Sequence, residues 1–333
     1  MPFLNEILKH RSLSIVGLEK NTGKTVCLNY VLRRLHDMKC RTAVTSIGID
    51  GESVDQVYGS AKPEIVLYEG MKFITSEKHY RQRELLAKIL EIDELSTSLG
   101  RMVTGEVVCD GKILLSGAPT TEKLRRQIEH LSSTVDLTVV DGALSRMSLA
   151  SPTVTDAMIL ATGAAVSPNM AQLVSKTNYV FGLINLEETE PALKQCLTPI
   201  QSGVWAVDDE DIPHDLNIAS AFLINRNQDD IFRFGKRIFV SGALNDVFVK
   251  HLMMQNKTGL EVIVRDFTKI FVTPEVFRAF CKKTGCVKVL QRSNLIAICV
   301  NPVSPQGYNM NSLDMRNALS EKLRIPVFDV RNI

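Results

Sequence analysis

The segment Gly17–Thr25, which reads GLEKNTGKT, is the sequence feature that most constrains how this chain folds. The apolar run Ser12–Val16 precedes it directly. Between Leu28 and Leu35, apolar residues recur at spacings of three and four, which predicts an amphipathic helix from Lys24 to about His36. A strand that leads through two glycines into a helix is typical of the opening of an α/β fold.

Glycines near both ends of this loop allow a ligand to approach the backbone closely. Gly17 and Gly23 have no Cβ, so successive N–H groups can converge on an anion where the helix begins. The pattern predicts a phosphate-binding loop, with five residues between the glycines instead of the usual four. The residues expected to hold the nucleotide are Gly17, Lys20, Asn21, Thr22, Gly23, Lys24, Thr25 and Val26.

Two loop residues and two acids are expected to carry the chemistry. Lys24 would pair with the β- and γ-phosphates, and the Thr25 hydroxyl would ligate magnesium. Asp141 ends an apolar run and is expected to hold magnesium as well; a capping or turn aspartate is the alternative. Asp50 follows another apolar run, at the end of a predicted strand, where parallel α/β folds place functional loops. An Asp-Gly pair also fits a simple turn.

Apolar runs and helical periodicities alternate along the chain, which predicts an α/β fold with a mostly parallel sheet flanked by helices. The predicted strands of the first part are Ser12–Val16, Thr42–Ile47, Leu137–Asp141, Ala157–Ala161 and Tyr179–Ile184. The predicted helices are Lys24–His36, Arg81–Leu90, Ala118–Leu131 and one after Pro168. This alternation predicts a nucleotide-binding domain over residues 1–190.

Residues 191–333 are predicted to form a second, smaller α/β domain. The acidic, proline-containing stretch from Glu187 to Asp215 is expected to link the two domains. The strands predicted beyond it are Arg237–Val240, Glu261–Val264, Leu295–Val300 and Val327–Val330. The predicted helices are Ala243–Met254, one that begins after Pro274, and Leu313–Leu323.

Charge and composition argue against several classes of partner. With 39 basic and 37 acidic residues, the net charge of +2 provides no general attraction to nucleic acid or to an anionic membrane. No segment approaches the ~20 apolar residues of a membrane helix. The odd number of cysteines, seven, is typical of reduced thiols, so we expect a cytoplasmic protein without disulfides.

The loop, Asp50 and Asp141 together resemble those of SIMIBI-class P-loop NTPases, such as dethiobiotin synthetase, the MobB-type factor and cobyrinate enzymes. The resemblance covers roughly the first 185 residues and implies a homodimer with ATPase activity. It also implies that Asp50 binds metal and polarises the attacking water or substrate hydroxyl. Lys20 resembles the additional lysine of deviant Walker A loops, which reaches the partner's phosphates, but it stands one position closer to Gly23. A surface lysine that raises the local potential is the alternative. Because the guanine-reading Asn-Lys-x-Asp motif is absent from the sequence, ATP is preferred over GTP.

The segments Thr45–Glu52 and Val140–Arg146 are similar to those of the reactivase subunit that accompanies lysine 5,6-aminomutase. This resemblance implies an ATP-driven helper that releases damaged cobalamin from a client enzyme and works with a partner ATPase. The alternative is a small-molecule kinase or an ATP-dependent ligase of the dethiobiotin synthetase or cobyrinate amidase type. A nucleotide-bound scaffold without turnover is a third reading.

Three further positions have both a functional and a structural interpretation. Ser116–Thr121 and Thr162–Ala165 are small-residue loops after apolar runs, where a second ligand could meet the γ-phosphate or a helix could simply begin. Asn185 could approach the base or form an ordinary turn.

Overall fold

The structure is a computed structural model that describes residues 3–47, 64–118, 120–143, 151, 154–224 and 231–332. The chain divides into two compact units. The first comprises Met1–Asn178 together with Asn294–Ile333, and the second comprises Tyr179–Ser293. The second unit is therefore inserted into the sequence of the first.

The first unit alternates strands with helices, and its elements are numbered in chain order. Its strands are β1 (Ser12–Gly17), β2 (Thr42–Ser46), β3 (Ile65–Leu67), β4 (Lys72–Ser76), β5 (Glu84–Thr97), β6 (Gly100–Ile113), β7 (Leu137–Ala143), β8 (Ala157–Gly163), β16 (Leu295–Asn301) and β17 (Val327–Phe328). Its α-helices are α1 (Leu4–Ile7), α2 (Lys24–Asp37), α3 (Glu77–Arg81), α4 (Thr121–Ser132), α9 (Ser312–Leu323) and the first part of α5 (Met170–Ile184).

These strands form one ten-stranded sheet. Its order is β17-β16-β8-β1-β7-β2-β4-β6-β3, and β5 pairs with β6. All neighbours from β17 to β4 are parallel, whereas β3, β4 and β5 pair antiparallel with β6. The predicted α/β class, with a mostly parallel sheet flanked by helices, is confirmed.

Helices cover both faces of this sheet. In β7, Val139 belongs to the apolar cluster that contains Leu28 of α2, and Val140 belongs to the cluster that contains Leu124 of α4. Because successive side chains of a strand point to opposite faces, α2 and α4 lie on opposite sides of the sheet. Both faces are buried, which explains why the central strands read as continuous apolar runs rather than alternating ones.

The second unit has its own mixed sheet. The strands of this unit are β9 (Val204–Val207), β10 (Pro213–Ile218), β11 (Arg237–Val240), β12 (Leu244–Asn245), β13 (Leu260–Val264), β14 (Ile270–Phe271) and β15 (Gly285–Val289). The order in the sheet is β10-β9-β11-β13-β15, and β12 pairs separately with β14. Its α-helices are α6 (Pro191–Leu197), α7 (Asp246–Met254) and α8 (Pro274–Lys283), together with the end of α5. Leu193 and Leu197 of α6 pack with Phe239 and Ile263 of the sheet in one buried cluster.

Two predicted elements have the wrong type. The segment Arg81–Leu90 was expected to be helical, but Glu84–Thr97 is a strand that forms a long antiparallel ribbon with β6. The segment Tyr179–Ile184 was expected to be a strand, but it is the end of α5. The periodicity of a short apolar run does not distinguish a strand from a buried helix. Glu84–Thr97 pairs with β6 as a strand, whereas Tyr179–Ile184 continues the helix that begins at Met170.

The predicted organisation of the C-terminal half also needs correction. The expected linker Glu187–Asp215 contains α6, β9 and the start of β10, so it is a folded part of the second unit. The strands predicted at Leu295–Val300 and Val327–Val330 exist as β16 and β17, but they extend the first sheet. The compact units consequently differ from the predicted domains 1–190 and 191–333. No helix in the described part of the chain has the length and apolarity needed to cross a membrane.

Candidate functional site

The loop that joins β1 to α2 lies at the carboxyl end of a central strand of the large sheet. Parallel neighbours flank β1 on both sides, β7 and β8. The backbone N–H of Leu18 donates a hydrogen bond to the carbonyl of Ala161 in β8 at 2.8 Å, which ties the start of the loop to the sheet. Ligands of open α/β sheets bind at this edge, where the strands end.

Both loop glycines stand where a side chain has no room. A Cβ on Gly17 would lie 2.7 Å from the hydroxyl oxygen of Thr22 and 3.1 Å from the carbonyl oxygen of Glu19. Gly23 has a left-handed backbone, with φ 89° and ψ 14°, and it caps α2. Gly17 therefore leaves room for the loop's own atoms, and Gly23 adopts a backbone conformation that favours glycine; the predicted approach of a ligand to them stays a prediction.

Local hydrogen bonds keep the loop compact. The Thr22 hydroxyl donates to the carbonyl of Glu19 at 2.9 Å, and Thr22 is buried. Asn21 has a φ of 62°, a left-handed conformation that is uncommon for residues other than glycine. Gly23 adopts its left-handed backbone without steric cost, whereas that of Asn21 persists only because the surrounding contacts hold it.

The loop leads into the N-terminus of a helix of 14 residues. The first turn of α2 has no acidic residue, and its N-cap, Gly23, has no side chain to accept hydrogen bonds from the helix. The first N–H groups of a helix have no intrahelical partners and carry partial positive charge. This helix end is therefore electrostatically suited to an anion.

Lys24 and Asp141, two residues that the sequence singled out, lie side by side at this helix end. The Nζ of Lys24 is 2.7 Å from the Oδ1 of Asp141, and the two side chains are 24% and 14% exposed. The parallel register that places Ile15 opposite Asp141 brings the acid next to the end of β1. The Ser46 hydroxyl donates to the backbone carbonyl of Asp141 at 3.1 Å and fixes this part of β7 to β2.

The other predicted nucleotide-binding residues are distributed along the same loop. Lys20 is exposed, whereas Asn21, Thr25 and Val26 are partly buried. Thr25 and Val26 belong to the first turn of α2. Asp50 lies outside the described residues, so its catalytic and metal-binding roles stay predictions.

The structure adds residues at the loop that the sequence did not indicate. Lys176 of α5 forms an ion pair with Glu19, at 3.1 Å, and donates a hydrogen bond to the carbonyl of Val166 at the same distance. Asn301, the last residue of β16, donates to the backbone carbonyl of Asn21 at 3.4 Å. Both contacts join segments that are far apart in sequence, so no local sequence pattern predicts them.

The two additional small-residue loops are built into the fold. The Ser116 hydroxyl is buried, accepts a hydrogen bond from the N–H of Ser76 at 2.9 Å and lies 2.9 Å from Nδ1 of His79. A Cβ on Gly117 would overlap the carbonyl oxygen of Ser46. These contacts favour the structural interpretation of residues 116–118, while Pro119 lies outside the described residues.

The hydroxyls of Thr162 and Thr177 are 3.0 Å apart and buried, which likewise favours a structural role for the start of the 162–165 loop. Asn185 lies just beyond the end of α5, where its amide nitrogen donates to the carbonyl of Phe181 at 2.8 Å and its amide oxygen accepts from Arg292. Its amide is thus used within the second unit.

Comparisons of the chain with models of protein families, with curated proteins and with solved structures find no match. Among the residues that the structure describes, no group of three or more His, Cys, Asp or Glu side chains is placed to hold a metal ion. A functional assignment therefore rests on the loop between β1 and α2.

Proposed function

We propose that this protein binds a nucleoside triphosphate together with magnesium at the Gly17–Thr25 loop, and that ATP is the preferred nucleotide. The observation that carries the proposal is the 2.7 Å pair of Lys24 and Asp141 beside the N-terminus of α2. A cation and helix N–H groups suit a phosphate, and a neighbouring carboxylate suits a phosphate-bound magnesium ion, so this arrangement supports the proposal.

The residues at the loop fit a magnesium ion that is shared with phosphate. Mg²⁺ is usually held by one or two carboxylates together with substrate phosphates and water, rather than by a cluster of protein ligands. Asp141 would provide the carboxylate and Thr25, one residue after Lys24, the hydroxyl. When bound, magnesium would neutralise part of the charge on the β- and γ-phosphates.

The chain's own residues then have separate tasks. Lys24 would exchange its ion pair with Asp141 for a contact with the phosphate oxygens, which frees the carboxylate to face the cation. Gly23 would leave the helix N–H groups uncovered. Removing Lys24 would take away the cation that pairs with Asp141 at 2.7 Å.

We propose further that nucleotide turnover drives a helper protein, a reactivation factor for a metabolic enzyme of the cobalamin-dependent aminomutase kind. The resemblance of the loop, Asp141 and the segments around residues 45–52 and 140–146 supports this reading. The alternative is a small-molecule kinase or an ATP-dependent ligase of the dethiobiotin synthetase or cobyrinate amidase type. Both readings place the protein in the cytoplasm as a homodimer, and the helper reading adds a client enzyme or partner ATPase.

Calorimetry tests the nucleotide site. The native chain, Lys24→Ala and the matched control Lys9→Ala are titrated with ATP and with GTP, each with and without magnesium. We expect magnesium-dependent ATP binding that Lys24→Ala weakens by roughly 10- to 100-fold, as for the loss of a charged hydrogen-bonding group. Lys9→Ala should change the affinity far less, because Lys9 is exposed and precedes the amino end of β1, whereas the loop follows its carboxyl end. A native chain that binds neither nucleotide refutes the proposal.

A steady-state ATPase assay separates the helper from the enzyme. Hydrolysis that rises when an aminomutase with inactivated cobalamin is added supports the helper, whereas hydrolysis that depends on a hydroxyl- or carboxyl-bearing metabolite supports the kinase or ligase. Analytical ultracentrifugation with nucleotide and magnesium at micromolar concentration tests the homodimer. A monomer under those conditions contradicts that part of the proposal.

A further inference from the structure

Asn301, at the end of β16, is in contact with the loop although it lies 276 positions after Thr25 in the sequence. Its amide nitrogen donates to the carbonyl of Asn21 at 3.4 Å and to the carbonyl of Val303 at 3.2 Å. Its amide oxygen accepts from the N–H of Val303 at 3.2 Å. With 9% of its surface exposed, the residue is nearly enclosed.

The order of the strands brings Asn301 to this position. β16 lies next to β8, which lies next to β1, so a side chain at the end of β16 must cross the end of β8 to reach the loop. Gly163 pairs with Asn301 there, and a Cβ on Gly163 would lie 2.1 Å from the carbonyl oxygen of Asn301. The glycine at the end of β8 therefore makes room for the backbone of Asn301.

Asn301 also packs against the glycine that caps α2. A Cβ on Gly23 would lie 2.6 Å from the Cβ of Asn301, so the two residues are in close contact. Asn21, whose carbonyl accepts the hydrogen bond, and Gly23 both have left-handed backbones. One side chain thus touches both of the loop residues that have left-handed backbones.

An asparagine suits this position because a single amide carries both a donor and an acceptor. Aspartate would lose the donor that faces Asn21, and an apolar residue would leave the N–H and carbonyl of Val303 without their side-chain partner. A left-handed conformation at a residue other than glycine persists only when its surroundings hold it.

We infer that Asn301 is a positioning residue for the Gly17–Thr25 loop: it holds the Asn21 carbonyl and the Gly23 turn so that the N–H groups of the loop are arranged before a ligand arrives. The effect on ligand affinity rests on the proposed nucleotide site, whereas the effect on loop order does not. Asn301 acts through the loop and is assigned no contact with the ligand.

The test compares Asn301→Ala with Asn311→Ala. Asn311 caps α9 in the same unit, and its side chain accepts hydrogen bonds from the N–H groups of Leu313 and Asp314, so its loss destabilises the unit without touching the loop. Asn301→Leu is included as a variant that keeps the branching at Cγ but not the hydrogen bonds. The readouts are hydrogen exchange of the amides of residues 18–26 without ligand, and the affinities for magnesium ATP and magnesium tripolyphosphate.

Both Asn301 variants should accelerate exchange in the loop, whereas Asn311→Ala should leave it at the native rate. The two Asn301 variants should weaken the binding of ATP and of tripolyphosphate by the same factor, about fivefold, which is the size expected for one net hydrogen bond. Loop exchange that is equal in Asn301→Ala and Asn311→Ala overturns the inference. A loss of affinity that is confined to ATP also overturns the inference, because it would mean that Asn301 contacts the nucleoside directly.

Failure of the proposed function gives a different result. A native chain that binds neither ATP nor tripolyphosphate removes the nucleotide site, but loop exchange still decides whether Asn301 orders the loop. A native chain that binds ATP, with loop exchange and affinity unchanged in both Asn301 variants, keeps the site and removes the positioning role.

Discussion

Replacing Gly23 by alanine should destabilise the first unit by about 2–5 kcal/mol. A left-handed backbone costs a residue with a Cβ about 1–2 kcal/mol, and Gly23 has a φ of 89°. The new Cβ would also lie 2.6 Å from the Cβ of Asn301, which is much shorter than an ordinary contact between two carbon atoms. Overpacking of this kind costs about 1–3 kcal/mol. The two costs add because one arises within the residue and the other from its neighbour.

Two comparisons separate these costs. Gly70 has a φ of 78°, and no atom lies within 4 Å of the position that a Cβ would occupy there, so Gly70→Ala should cost only the backbone share, about 1–2 kcal/mol. Combining Gly23→Ala with Asn301→Gly removes the clashing carbon and should recover about 1–3 kcal/mol in a double-mutant cycle. The same cycle with Gly70→Ala should show no coupling.

Urea unfolding followed by circular dichroism measures these changes. Trp205 is the only tryptophan and lies in the second unit, so its fluorescence follows the unfolding of that unit separately. Two results would refute the reasoning: a cost of Gly23→Ala no greater than that of Gly70→Ala, or a coupling with Asn301→Gly below about 0.5 kcal/mol. Either would mean that the close contact of Gly23 with Asn301 does not determine the stability lost in Gly23→Ala.

Two further predictions concern a surface ion pair and the thiols. The guanidinium of Arg41 holds the pKa of Asp136 below its usual value. At neutral pH, Asp136→Asn should therefore lower the stability to urea, by under about 1 kcal/mol because both partners are exposed. Below the pKa of Asp136 in the folded protein, the substitution should have no effect. An equal loss at both pH values contradicts this. A hydrogen bond with Cys27 raises the pKa of Cys299, and burial raises it further. Iodoacetamide should therefore modify the exposed Cys109 in the native protein. It should reach the buried Cys27 and Cys299 only after denaturation. Mass spectrometry that finds Cys299 modified as fast as Cys109 refutes this.

The sequence predicted the local part of the site because that part is encoded locally. The β1 strand, the loop and α2 are consecutive, and their glycines and apolar spacing are visible without knowledge of the fold. The position of Asp141 next to Lys24 was also accessible in outline, since residues that end neighbouring parallel strands meet at one edge of the sheet.

Contacts between distant segments were not accessible in this way. Asn301 reaches the loop only because β16 returns to the first sheet after the whole second unit, and a single sequence contains no spacing that reports this pairing. The strand β5 was mistaken for a helix for a related reason. Its apolar residues suit either structure, and its antiparallel partner β6 decides between them.

The return of β16 and β17 to the first sheet has a consequence for protein synthesis. While the ribosome is translating the second unit, β8 lacks its outer neighbour and the Gly17–Thr25 loop lacks Asn301. The exposed edge of β8 is then open to pairing with other chains, which is a risk of aggregation for unfinished sheets. The nascent first unit can complete its sheet only after residues 295–328 have left the exit tunnel, so the loop acquires its final support among the last events of folding.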